Sequence, residues 1–293
     1  MATVHVFGDT GGHGLQLFKA LSTIGVDLET GEIPEGVIIV HLGDLIHKGP
    51  ASNTIVSMVD KLIRNNPGQW LQVLGNHEFQ HIEEGIDFWN CSCTPDTQAT
   101  IQEWYSEGLA RVAWAIEGVL PNKWTTGNRP VGQEELVGSF LATHGGLTYP
   151  LWKKLGEPDS ATLAADRLNA KRSWCAGSAG EMLGMTNRYG MVGPVWAMAS
   201  KETFHYWHLE WLKSHLKMPF GQLVGHNAPF SFDSGNWWGN VSKDFRKVSK
   251  VNLEDRRTVC FVAESVLICM DPDYTKDAVS IEQPFLKFEI EEL

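Results

Sequence analysis

Three short apolar runs near the start of the chain share one design. Val4-His5-Val6-Phe7, Val37-Ile38-Ile39-Val40-His41-Leu42 and Trp70-Leu71-Gln72-Val73-Leu74 are rich in β-branched and aromatic residues. Each ends in a glycine followed by a polar residue: Gly8-Asp9, Gly43-Asp44 and Gly75-Asn76. Such runs predict buried strands. Between them the period changes. Leu15-Gln16-Leu17-Phe18-Lys19-Ala20-Leu21, and later Ile55, Val56, Val59, Leu62 and Ile63, fall at helical spacing. Alternating strands and helices predict a βαβαβ start with a largely parallel sheet, and such sheets bind ligands beyond the carboxyl ends of their strands.

The pattern continues as helix from Thr97 to about Ile116 and as loop from Asn122 to Gln133. A fourth strand, Val137 to Thr143, runs into His144-Gly145-Gly146, and a fifth, Gly221 to Val224, into Gly225-His226-Asn227. Residues 158–218 between them read as mostly helical and rich in Trp, Met and His, and are expected as a helical insertion or cap within a single catalytic domain, 1–293. Within this span His205-Tyr206-Trp207-His208 reads as an amphipathic helix on the core. The tail alternates in Thr258–Val262, Val266–Met270 and Leu286–Ile290, predicting two or three further strands, antiparallel in sense.

Five predicted strands therefore end in a potential ligand: Asp9, Asp44, Asn76, His144 and His226. Singly, each is a turn residue, a helix cap or a structural histidine. Recurrence at one end of one sheet points instead to a cation, and carboxylate, amide and imidazole together suit Mn, Fe, Zn or Mg.

Composition narrows the function. The net charge of -11 over 293 residues argues against a generic basic surface for nucleic acid, although nucleotides remain candidate substrates. No apolar run approaches the ~20 residues that span a bilayer, so no membrane partner is expected. Five cysteines without a CxxC pair read as structural thiols of a reduced, cytoplasmic chain; Cys91-Ser-Cys93 alone is a weak zinc signal. The twelve Trp read first as core packing.

The ordered set Gly8-Asp9, Gly43-Asp44-Leu45-Ile46-His47-Lys48-Gly49-Pro50, Gly75-Asn76-His77-Glu78, His144-Gly145-Gly146-Leu147 and Gly225-His226-Asn227 resembles the calcineurin-like metallophosphoesterases, in their phosphoprotein phosphatase-like branch, over residues 8 to 227. The resemblance implies an α/β four-layer αββα sandwich and a phosphatase with two divalent ions, Mn foremost. It implies that Asp44 bridges the ions, that Asp9 binds one, and that Asn76, His144 and His226 bind the other. A hydroxide held between them would attack a phosphomonoester of a phosphoprotein, nucleotide or small metabolite. His77 would be the general acid, and Lys48 falls where the family usually has a phosphate-binding Arg.

Three departures stand out. Asp-x-His becomes Asp9-Thr10-Gly11-Gly12-His13, so the expected imidazole comes two residues late. His13 either folds back to the Asp9 ion or packs at the start of the first helix. The acid expected to orient His77 is replaced by His47, with Glu78 or Asp233 as candidate substitutes. Lys48 lacks the bidentate fork of Arg. Alternative readings are a phosphodiesterase, a dinucleoside polyphosphate hydrolase, or a binding protein that keeps the fold without catalysis.

Overall fold

A computed structural model describes residues 2–82, 89–90, 93–120, 136–170, 193–254, 256–274 and 283–290. The predicted loop 122–133, Cys91, Cys175 and the middle of the 158–218 span fall outside them.

The opening of the chain forms β1 (Ala2–Phe7), α1 (Gly14–Thr23), β2 (Val37–His41), α2 (Ser52–Asn65), β3 (Trp70–Val73) and α3 (Asn76–Ile82). β1, β2 and β3 pair in parallel, as the periodicity required. Next come α4 (Pro95–Glu107), β4 (Ala110–Arg111), β5 (Ala113–Leu120) and β6 (Leu136–Thr143). The helix expected to reach Ile116 stops at Glu107. Gly108 caps it in the left-handed region at φ 74, and Ala113 to Ile116 instead pair antiparallel with β6. Further helices among the described residues include α5 (Tyr149–Lys154), α6 (Ala161–Ala170), α7 (Phe204–Ser214), which follows a π-helical turn at Ala199–Thr203, and α8 (Lys243–Val248). The remaining strands are β7 (Gly221–Val224), β8 (Phe230–Ser231), β9 (Asn236–Trp237), β10 (Ser249–Asn252), β11 (Arg257–Val262), β12 (Ser265–Cys269) and β13 (Phe285–Ile290).

Among the described residues, eleven strands join in the order β10-β11-β12-β7-β6-β5-β13-β1-β2-β3-β4. Three hydrophobic clusters show how this sheet doubles on itself. Val4, Val6, Val40, Leu42, Phe140, Leu223, Ile268 and Met270, drawn from both halves, pack together between the halves. On the outside of the β1–β3 half, Phe7 and Ile39 meet Leu17, Leu21, Val59 and Leu62 of α1 and α2. On the outside of the other half, Leu141, Val224 and Leu267 meet Leu151, Leu168, Phe204 and Trp207 of α5, α6 and α7. Alternate strand residues thus face a central core and an outer helix layer, which gives the four-layer αββα arrangement.

The described parts of 158–218 belong to that outer layer. Trp207 is fully buried against Tyr149 and Trp152, and its Nε1 donates to Leu147 O at 2.9 Å. Trp104, Trp70 and Trp152 are buried as well, whereas Trp89 and Trp238 are exposed. Among the described residues no helix is long and apolar enough to cross a membrane.

Candidate metal centre

β1, β2 and β3 run opposite to β6 and β7 along the sheet, but its folding over brings their carboxyl ends together, and the polar residues after them converge there. The loops are held by backbone bonds. Thr10 N and Gly11 N donate to Asp44 O at 3.0 and 2.6 Å, and Gly225 N and His226 N both donate to His144 O at 2.9 Å. Gly43 sits at φ 97, where a Cβ would lie 2.6 Å from Gly75 N, so this crossing of two loops requires glycine.

Asp44, at φ 54, is held from below by Glu78. The buried Glu78 carboxylate accepts from Asp44 N and Leu45 N at 2.8 Å each and from Gly75 N at 3.0 Å. Glu78 therefore staples two rim loops together and is spent on the backbone. Asp233, the other acid considered as a partner for His77, pairs with Arg256 at 2.5 Å.

The ligand atoms of Asp44, His144 and His226 lie within 4.8 Å of one another. His144 Nδ1 lies 2.8 Å from Leu42 O, and donating there turns the Nε2 lone pair toward Asp44 Oδ1 at 3.3 Å. The Asn76 Oδ1 position lies 2.9 Å from His144 Nε2 and 3.3 Å from His226 Nδ1 and from each Asp44 oxygen. With His144 and His226 neutral and their inward nitrogens deprotonated, as metal binding requires, all four neighbours are acceptors. An amide NH2 turned inward satisfies them without metal, whereas an oxygen there needs a cation between. Asp9 favours the cation: it is buried, and neither of its oxygens accepts a hydrogen bond. The donor set fits a divalent ion.

The charges agree. Burial raises the Asp9 carboxyl well above its ordinary range, and Asp271 and Asp44 add to this against the pull of His144 and Lys48. Burial also opposes charge on Asp44, yet His144, His77 and Lys48 hold it well below the usual carboxylate value. His144 is disfavoured as a cation by burial, but Asp44 and Asp9 push it up to about 9. In the bare site a proton does part of the work a metal would do.

Asp9 and His13 are less closely gathered. Asp9 Oδ1 lies 3.8 Å from His144 Nδ1, and its Oδ2 lies 4.0 Å from Lys48 Nζ. His13 occupies the N-cap position of α1 without a side-chain cap bond, its ring 5.2 Å from Tyr274 and its buried Nε2 without a hydrogen bond. Lys48 lies across Gly11. Burial opposes its charge, but Asp271, Asp9, Asp44 and Asp273 raise its pKa. It also lines a polar cleft of ≈ 420 Å³ with Asn227, Trp238, Asp271 and Asp273.

His77 N donates to Asp44 Oδ1 at 3.0 Å, and its Nε2 lies 3.6 Å from Asp44 Oδ2. Against its Nδ1, at 2.6 Å, stands His47 Nδ1. Burial lowers the His77 pKa, with Lys48 and His144 assisting against Asp44. Burial, His77 and His81 lower His47 to about 3, so that ring is neutral.

The calcineurin-like phosphoesterase family model matches residues 2–175, more than half of the chain. The chain belongs to the calcineurin-like phosphoesterase family. Its members are dinuclear metal-dependent enzymes, and the chain is a hydrolase of phosphate esters. Among curated proteins no sequence matches. Among solved structures, the cold-active protein-tyrosine phosphatase of the psychrophile Shewanella sp. is similar at 15% identity and TM-score 0.49, over 94% of this chain and 74% of that one. A protein provisionally described as a diadenosine tetraphosphatase is similar at 14% identity and TM-score 0.39, over 93% and 84%. This phosphoesterase also carries two features at the rim to which the sequence reading gave no role. Asp271 is buried at the end of β12, accepting from Ala228 N at 2.9 Å and Asp273 N at 2.8 Å. Trp196 lies 6.2 Å from the His226 ring. A polar residue after a sixth apolar run was the available signal for Asp271.

Proposed function

We propose that the protein hydrolyses phosphomonoesters at a pair of divalent ions, with manganese as the working metal. The tighter position is held by Asp44, Asn76, His144 and His226. The looser is held by Asp9 and Asp44, with His13 as the imidazole that completes it. The ions, when bound, neutralise phosphate charge and lower the pKa of a water between them. Asp44 has two carboxylate oxygens to share, and its position is fixed by Glu78 through the backbone. His144 is held with Nε2 toward the ion by its bond to Leu42 O. Lys48 supplies positive charge at the rim of the cleft, and His77 protonates the leaving oxygen from Nε2.

The observation that carries this reading is the convergence of acceptors on the Asn76 amide beside a buried Asp9 that accepts no hydrogen bond. Metal analysis, Mn²⁺ titration and turnover of an aryl phosphate test it. Wild type should take up two ions in unequal steps, and His13→Ala should weaken only the second. Asp44→Asn should lose turnover and lower occupancy, since the shared carboxylate offsets the repulsion between two dications. A variant Asp44→Asn with two ions and wild-type turnover would overturn the two-metal reading.

A further inference from the structure

Behind His77, on the side away from the centre just described, lies a second cluster of ligand atoms. His47 (loop after β2), His81 (α3) and Cys93 (the residue before the Thr94 cap of α4) place one ring nitrogen or sulfur each within 4.8 Å of one another. His47 and Cys93 are buried, and His81 is half-buried. His47 Nε2 and His81 Nε2 are 3.0 Å apart. Two nitrogens on one tetrahedral zinc, with bonds of about 2.0–2.1 Å, stand about 3.3 Å apart, and nitrogen and thiolate sulfur about 3.6 Å. The observed spacings need only small side-chain shifts.

The backbone of each residue is anchored. His47 N donates to Ser52 Oγ at 2.9 Å, His81 O accepts from Gln102 Nε2 at 2.7 Å, and Cys93 O accepts from Gln98 Nε2 at 3.2 Å. Thr94 N is further tied to Asn53 Oδ1 at 3.0 Å. His47 keeps φ 95, a strained conformation for a histidine, which persists only where the surroundings hold it. Three elements distant in sequence thus present two imidazoles and a thiol to one point.

We infer that His47, His81 and Cys93 form a separate binding site for a zinc-class cation. One thiolate and two imidazoles select a borderline ion over Mg²⁺ or Mn²⁺, whereas the oxygen-rich phosphoesterase centre accepts the harder ions. Three protein ligands leave a fourth position open to water. Metal on His47 Nε2 places the remaining ring proton on Nδ1, which then donates to His77 Nδ1 2.6 Å away. The His77 proton is thereby set on Nε2, the nitrogen facing Asp44. This coupling rests on His77 being the general acid; the cation site itself does not.

Cobalt separates the two sites. The full chain is stripped with chelator, loaded with Mn²⁺, and titrated with Co²⁺ alone. A thiolate-to-cobalt charge-transfer band should grow to one equivalent and be displaced by Zn²⁺, because the phosphoesterase ligands include no thiolate to produce it. Cys93→Ser, with the other four cysteines in place, should abolish the band. His81→Ala, at a half-buried position, should weaken Co²⁺ binding by about tenfold or more while Mn²⁺ content holds. Absence of the band in wild type, its survival in Cys93→Ser, or unchanged affinity in His81→Ala would each overturn the site. Loss of Mn²⁺-dependent turnover with the band intact would instead strike at the phosphoesterase reading.

Discussion

The imidazole of His77 faces another neutral imidazole where a carboxylate would stabilise its charged form. His47 fixes the ring without adding negative charge, and burial already lowers the His77 pKa. His77→Ala should leave Mn²⁺ content unchanged and lower kcat by about 10²–10⁴ on alkyl phosphates. An aryl phosphate with a good leaving group should lose far less, and equal losses on both would remove His77 from the acid role. At this scale the sequence was legible where an apolar strand runs straight into a polar residue at the rim. Asp9, Asp44, Asn76, His144 and His226 each follow an apolar run, so period and ending together marked them. The spending of Glu78 on backbone N–H groups could not be read, because its partners lie 33 and 34 residues away in one loop.

Among the elements, the joint between the β2 and β3 loops depends most on one side chain. Three N–H groups, of Asp44, Leu45 and Gly75, end on the Glu78 carboxylate. Glu78→Ala should leave them buried without acceptors, costing on the order of 3 kcal/mol or more in urea unfolding. It should also weaken Mn²⁺ binding, since Asp44 loses its support; an unchanged unfolding midpoint would contradict the staple. A similar lock lies at the β1 end. His41 Nε2 meets Thr10 Oγ1 at 2.8 Å, Thr10 donates to Gln283 Oε1 at 2.9 Å, and Gln283 Nε2 donates to Gly8 O at 3.0 Å. The parallel strands were readable from alternation. The boundary of α4 was not, because the apolar spacing of 97–116 continued past the glycine that ends the helix. The meeting of His47, His81 and Cys93 was equally hidden, since it arises only when three elements pack.

For the whole molecule, buried neutral histidines set the acid limit. Burial, helped by Lys287, lowers His5 to about 4, and burial with the charge of His144 lowers His41 to about 3. Both pKa values are depressed below the unfolded value of 6.5, so the stability they contribute is present above pH 6.5. It is lost as pH falls through 6.5 toward 3–4, because the unfolded chain then binds protons the folded chain refuses. In metal-free protein the unfolding free energy should fall by about 1.4 kcal/mol per pH unit for each histidine, and His5→Asn or His41→Asn should each remove one share of that slope. A slope unaltered by either substitution would assign the loss to other groups. Strand order was beyond the sequence for a related reason: pairing over long separations leaves no local period. β13 shows this most clearly, lying between β5 and β1 at the middle of the sheet although its residues come last among those described. During synthesis, then, the β1–β4 half waits with β1 as an open edge until Phe285–Ile290 has left the ribosome. Nascent chains stalled before β13 would expose an unpaired strand available to a neighbour, so chaperone demand and misassembly should concentrate in that interval of translation.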